Sequence, residues 1–363
     1  MLTGMEVATF TGLQILWFLL IAVLWIGFFF LEGFDFGVAM LYPLLGRDPQ
    51  ERRVMVNTIG PVWDGNEVWL LTAGGAMFAA FPGWYATLFS ALYVPFFLVL
   101  FGLIIRGVAF EYRALRPDDR WRDAFDACAS IGSFVVTLVF GVGFANFVKG
   151  LPVDGDHLFT GTLLGLFSPF ALLGGVMLVV LFLAHGSQFL SLKTYGTVHE
   201  KARSFSLKAT PAAIVLVGLF VAFQNIFYPA TDNPYLGGVG SIGSWVGILS
   251  VLALIAAFMA SRAGRDGWAF ISTGLAVITL FAGIFVKMYG NLGFISADAA
   301  NPLNMAAAAS SVKTLGLMRI FAFIMVPIVL AYQSWTYWVF RRRLSTKQMP
   351  KSPLQSDAVV ATV

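Results

Sequence analysis

Between Asn57 and Trp69 the chain reads Asn-Thr-Ile-Gly-Pro-Val-Trp-Asp-Gly-Asn-Glu-Val-Trp, with apolar runs on both sides. Two carboxyl groups, Asp64 and Glu67, stand in this stretch beside two asparagines, two glycines and a proline. An acid at bilayer depth costs a few kcal/mol, and chains that keep one use it in proton relays, ion paths or buried pairs. Four more groups of this kind lie in neighbouring apolar runs: Glu32 and Asp35, spaced i, i+3, and Arg106 and Glu111. Two chemistries fit them. One is a structural ion pair, Arg106 with Asp64 or Asp35, stapling three helices. The other is a proton-conducting series, which the excess of acids over a single Arg favours. Pro61 and Gly65 loosen the backbone ladder beside Asp64, leaving groups that water can satisfy.

The elements that position these groups are membrane helices. Of 363 residues, 58% are hydrophobic and 12% charged, with mean hydropathy +0.81. A soluble domain carries about 25% charged residues, so the chain reads as an all-α integral membrane protein. Apolar runs predict spans over 14–44, 54–80, 83–112, 121–149, 159–190, 202–228, 238–261, 267–288 and 318–341. Every second loop is basic: Arg47, Arg52 and Arg53; Arg113, Arg116, Arg120 and Arg122; Lys193, Lys201, Arg203 and Lys208; Arg262 and Arg265; then Arg341, Arg342, Arg343, Lys347 and Lys351. That alternation predicts nine spans, an N-terminus outside and a C-terminus in the cytoplasm. Residues 1–343 are thus expected to form one polytopic domain, and 344–363 a mobile cytoplasmic tail. No basic region precedes the first apolar run, which is taken as a retained span.

Depth follows from a rise of about 1.5 Å per residue. Asp64 falls roughly 15 Å in from the cytoplasmic surface, Glu67 one turn further on the same face, and Arg106 roughly 10 Å in. Asp35 sits near the cytoplasmic end of its span, with Glu111 at the interface. All are reached from one side.

Redox and nucleic-acid chemistry find little here. Cys128 is the single cysteine, and the basic residues form no nucleic-acid patch. Of three histidines, His157 and His199 fall in loops and His185 in the fifth span, so two axial haem ligands at matching depth cannot be assembled. His185 is either a lone ligand or, as an interhelical histidine, a hydrogen-bonding group; no metal site is expected. A secondary transporter would also carry interrupted helices and midplane acids. Its site, however, usually draws on both halves of the chain, whereas these groups lie in spans one to three.

Four stretches carry a resemblance: Gly33-Phe-Asp-Phe-Gly37, the run Ile59 to Pro82, Arg106-Gly-Val-Ala-Phe-Glu-Tyr-Arg113, and Trp121-Arg122. Together with the span layout, over roughly residues 14–341, the sequence resembles subunit II of the cytochrome bd quinol oxidase family, which includes the cyanide-insensitive oxidases. The resemblance implies two four-helix bundles plus a ninth helix, in a bacterial cytoplasmic membrane. It also implies a heterodimer with a larger subunit I that holds b- and d-type haems, oxidises quinol and reduces dioxygen to water in the respiratory chain. Subunit II itself is expected to bind no haem, to hold in some members a structural quinone, and to be joined in others by small accessory subunits. In the family the Trp-Asp-Gly-Asn aspartate is assigned to a proton route from the cytoplasm, which implies Asp64 here, and the aspartate of the first-span motif is Asp35. The depth reading adds Glu67, Glu111 and Arg106 to that path. Trp63, Gly65, Asn66 and Asn57 complete the motif as structural residues. Some members carry Gln at the position of Glu67, so a titrating carboxyl group is not required there.

Overall fold

The computed structural model describes residues 9–116, 118–230, 233–236 and 240–349. It opens on α1 (Gly12–Met40), started by a capping box in which Thr11 and Gln14 satisfy each other's backbone N–H groups. α1 is the central element. It packs most extensively against α8, α4, α7 and α11 and buries Glu32 and Asp35 completely. A short α2 (Tyr42–Leu45) leads to α3 (Pro49–Ile59), capped by Asp48 and Glu51.

The span expected over 54–80 is broken. α3 stops at Ile59, and α4 (Trp63–Ala80) begins after a turn at Gly60-Pro61-Val62. Pro61 has no N–H to give and its ring crowds the carbonyl four residues back, so the helix is interrupted. Gly65, expected to loosen this backbone, lies inside α4. The span over 83–112 is likewise two helices, α5 (Pro82–Ala91) and α6 (Tyr93–Tyr112), and Pro95 sits where its ring would crowd the Ala91 carbonyl.

α7 (Asp119–Lys149) is followed by strand β1 (Leu151–Val153) and then by α8 (Pro169–Lys193). The expected span from 159 therefore starts ten residues late. Residues 164–167 form a 3-10 turn, and Ser168 caps α8 with Pro169 in its first turn. Hydropathy extended the helix backward over apolar residues that the capping signal excludes. α9 (Thr197–Phe227), α10 (Gly240–Arg262) and α11 (Asp266–Lys287) come next. Strand β2 (Phe294–Ser296) pairs parallel with β1 and pins two loops together at one end of the bundle. α12 (Val312–Val339) completes the helices.

Eight described helices are long and apolar enough to cross a membrane. α4 is not among them, because Asp64, Asn66 and Glu67 fall within its eighteen residues. α8, α9, α10 and α11 pack in sequence and α11 returns to α8, while α7 and α1 contact both α8 and α11. α1 and α8 meet where Gly37 faces Gly186. A Cβ on Gly37 would stand 2.0 Å from the Phe182 carbonyl oxygen, so only glycine permits this crossing. Between the helices lies an aromatic core in which Phe29 stacks on Phe281 at 3.8 Å and both meet Phe144. Gly174 and Gly175 abut Gly141, whereas a Cβ on Gly74 or Gly75 would meet open space. Trp84 is buried against Phe18. Trp268, Trp335 and Trp338 are exposed.

α12 stands apart, with Leu315 its only buried residue among those described. After it the chain folds back. Leu344 pairs with Thr194, a 3-10 turn covers Thr346–Gln348, and the Asn57 amide reaches the Met349 sulfur at 3.3 Å. Residues 344–349, expected in the tail, are thus held against the bundle; 350–363 lie outside the described residues.

Candidate functional site

Arg106 is fully buried, and its guanidinium meets two acids: Glu32 of α1 at 2.8 Å and Glu67 of α4 at 3.0 Å. It also lies over the rings of Phe36 (4.6 Å) and Phe110 (5.1 Å). Its partners are therefore neither Asp64 nor Asp35, as expected, but the acids one helical turn from each. The reason is rotational. Gly33 and Gly37 seat α1 against α8, which turns Glu32 toward α6 and Asp35 toward α4. Glu32 is fully buried, one carboxyl oxygen forming a close ion pair with Arg106 at 2.8 Å and the other without a hydrogen-bond partner among the described residues.

Asp35 instead accepts a 2.6 Å hydrogen bond from the Asn66 side-chain amide. The Asn66 oxygen accepts from the Tyr337 hydroxyl at 2.8 Å and from the Gln333 amide at 3.1 Å, and the Gln333 oxygen accepts from the Trp69 indole at 2.7 Å. An indole N–H only donates, so it orients the whole series from Trp69 through Gln333 and Asn66 to Asp35. The second Asp35 oxygen has no hydrogen-bond partner among the described residues. Through this network α12, otherwise loosely attached, is fixed to α4 and α1.

Gln333 and Tyr337 were absent from the sequence-derived set, and Glu32 was noted there only for its spacing. Gln333 and Tyr337 lie i, i+4 on α12, a polar pair in an apolar span. That spacing was the available signal, but nothing local links it to Asn66.

Asp64 departs from expectation in a different way. It lies in the first turn of α4, where the helix dipole favours a negative charge. Its side chain is exposed on the chain's surface, whereas Glu67, expected on the same face, is half-buried against Arg106. Asp64 stands at one end of an exposed apolar stripe of Val68, Leu71 and Phe78. Gly65 is also exposed.

A polar cavity of 530 Å³ opens between α3, the end of α6 and the start of α7, at the end of the molecule that carries the basic loops. Glu111, Asn57, Arg113 and Trp63 line it. The Trp63 ring lies against Phe110 and 5.8 Å from the Arg106 guanidinium. Trp63 is thus the wall between the cavity and the buried ion cluster. Glu111 and Asn57 are placed at its rim rather than within the cluster.

His185 lies elsewhere, buried between α1, α8 and α11. One ring nitrogen bonds the Thr273 hydroxyl at 2.8 Å and the other the Phe30 carbonyl at 3.2 Å, with the ring stacked on Phe270. A carbonyl only accepts, so Nε2 carries a proton. A haem needs a free imidazole nitrogen, and neither is free; the residues around His185 do not fit one. His157 and His199 bond the backbone carbonyls of Asn301 and Ser191. Among the described residues, no three His, Cys, Asp or Glu are grouped to hold a metal.

The family model for cytochrome bd terminal oxidase subunit II matches residues 13–340. The chain is 39% identical to cytochrome bd ubiquinol oxidase subunit 2 of Bacillus subtilis, over 93% of this chain and 98% of that one. It is 36% identical to cytochrome bd-I ubiquinol oxidase subunit 2 of Escherichia coli, over 94% and 97%. A chain in the structure of bd oxidase from Geobacillus thermodenitrificans shares the fold, with TM-score 0.69 over 91% of this chain and 99% of that one, at 16% identity.

Proposed function

The chain belongs to the cytochrome bd terminal oxidase subunit II family, and from that premise we propose that it is the haem-free subunit of a bacterial quinol:dioxygen oxidoreductase that supplies protons from the cytoplasm. Family membership displaces the transporter alternative. The haems, of b and d type, belong in this reading to a larger subunit I, where quinol oxidation and dioxygen reduction take place. Each dioxygen reduced to two waters consumes four electrons and four protons, so a buried reduction site needs a proton supply.

The observation that carries the proposal is the succession of acids behind the polar cavity. Glu111 stands at the rim. Trp63 separates the cavity from Arg106, Glu67 and Glu32, and Asp35 follows one turn along α1. Glu32 and Asp35 each keep a carboxyl oxygen without a hydrogen-bond partner among the described residues, and intramembrane acids of this kind mark proton relays. Arg106 lowers the cost of charge on the acids beside it. Water in the cavity would complete the path.

Asp64 fits the same reading. A carboxyl group does not face hydrocarbon without compensation, so its exposed position calls for a covering surface. We take that surface to be subunit I, docked on the α4 stripe, which makes Asp64 the handover point between the chains. In this reading the chain crosses the membrane nine times, α3 and α4 together making one crossing, and the cavity opens to the cytoplasm. A structural quinone and small accessory subunits belong to the same assembly.

Asp64→Asn tests the route. We expect an assembly with unchanged haem bands and turnover lowered on the order of ten-fold or more, in the range of general acid–base contributions. Unchanged turnover, or loss of haem together with the partner, overturns the proton role. A reduced-minus-oxidised spectrum of the chain alone tests the haem-free assignment, and haem bands there would overturn it.

A further inference from the structure

A second cavity, of 440 Å³, lies between the basic-loop end of α12 and the body formed by α1, α8 and α11. Its walls are largely aromatic: Phe30, Phe34, Phe189, Phe270, Tyr337 and Phe340. Its mouth is cationic, with Lys193, Arg341 and Arg343 all lining it. None of the three meets an acid among the described residues.

The cations are held in place. The Lys193 ammonium bonds the carbonyl oxygens of Phe340 and, at 3.3 Å, Arg342, capping the end of α12. Arg341 donates to the Trp338 carbonyl at 2.6 Å and lies over its ring. Arg343 lies 5.0 Å from the centre of the Tyr195 ring. Backbone bonds between Leu344 and residues 193 and 195 fix the returning chain beside them. Two carbonyls occupy Lys193 only in part, since an ammonium has three donors, and the guanidinium groups keep most of their five. The cavity is therefore lined by three cations that meet no acid among the described residues.

We propose that this groove binds one acidic phospholipid, its phosphate among Lys193, Arg341 and Arg343 and an acyl chain against the aromatic walls. Basic pockets between membrane helices at the cytoplasmic side take anionic headgroups. The apolar, elongated wall selects a lipid over free phosphate, and the net positive mouth selects an acidic lipid over a zwitterionic one. The occupant would pack against Tyr337, whose hydroxyl donates to Asn66, and so would support α12 beside its attachment to α4. The inference uses this chain's residues alone and does not depend on the proton route.

The test uses the assembly as purified from its own membrane and reconstituted in mixed phosphatidylcholine and phosphatidylglycerol bilayers. Native mass spectrometry then counts the phospholipids retained after detergent exchange. The wild type should retain one more phosphatidylglycerol than Lys193→Gln/Arg341→Gln/Arg343→Gln. Affinity should fall about five-fold for each charge removed. Arg120→Gln/Arg262→Gln, at the same end but outside the groove, should retain it. Equal retention by the triple variant, equal retention of phosphatidylcholine, or recovery of a quinone in place of the phospholipid overturns the proposal. Should the triple variant fail to assemble, Arg343→Gln alone reads the same loss at smaller amplitude.

Discussion

Two buried polar sites share α1 as a wall and are built on opposite terms. Around Arg106, one cation stands between Glu32 and Glu67, with Asp35 close by, and carboxyl oxygens remain without hydrogen bonds. Around His185, both ring nitrogens are engaged, Thr273 also contacts Gln188 at 2.9 Å, and Gln188 contacts Thr210 at 3.1 Å. The first site is charged, incompletely satisfied and separated from a polar cavity by one indole. The second is hydrogen-bonded throughout and closed. A fully satisfied network fixes helices, whereas one with spare oxygens keeps places for a proton to go. One half of the molecule is suited to transfer and the other to holding shape.

The strongest way to break this contrast is Arg106→Leu, which leaves Glu32 and Glu67 buried without their cation. Losing one member of a buried pair costs about 3–5 kcal/mol, so the chain should fail to accumulate in the membrane, as read by immunoblot. Adding Glu32→Gln and Glu67→Gln to that variant should restore accumulation but not turnover. Recovery of turnover would show that the acids serve only to balance Arg106. Asp35→Asn is next. Asn66 keeps a carbonyl to bond, so assembly should persist while quinol oxidase turnover falls on the order of ten-fold or more.

His185→Ala sharpens the other side. It removes a partner from Thr273 and from the Phe30 carbonyl and should cost about 1–3 kcal/mol, seen as a lower melting temperature. Turnover at permissive temperature should stay near wild type; a loss as large as that of Asp35→Asn would dissolve the distinction between the sites. The smallest effect belongs to a pair that water reaches. Glu51 accepts from Lys201 at 2.7 and 2.6 Å. Burial acts to raise its carboxyl pKa, but the Lys201 hydrogen bond, the Asp48 backbone and the Lys201 charge outweigh it, and the net shift is downward from 4.5. A depressed carboxyl pKa contributes stability that is present above the unfolded value and is lost as pH falls through the folded one. Glu51→Gln should therefore cost at most about 1 kcal/mol at neutral pH, and the difference from wild type should vanish under acid conditions below that window.

Much of this was legible from residues alone. The apolar runs located the helices because burial in lipid demands long uncharged segments, and α1, α7, α10 and α11 lie close to where hydropathy put them. The Trp-Asp-Gly-Asn stretch and the Glu32–Asp35 spacing marked the right helices for the buried charges. Breaks within the runs were less visible. Gly60-Pro61 and Pro95 interrupt helices that hydropathy reads as continuous, and Ser168-Pro169 starts one that hydropathy begins too early. In each case the decisive signal is local backbone chemistry, which averaging over a window erases.

What sequence determined by itself is therefore the inventory: which acids and which arginine interrupt the apolar runs, and on which helices they lie. Pairing was decided only in the tertiary structure. Arg106 reaches Glu32 rather than Asp35 because Gly37 and Gly186 set the rotation of α1 against α8. Asp64 faces outward because α4 starts afresh after Pro61. Gln333 and Tyr337 join the site because the last helix folds back across more than 260 residues to reach Asn66. Helix periodicity specifies which residues share a face, but the direction that face takes depends on close contacts between helices far apart in the chain.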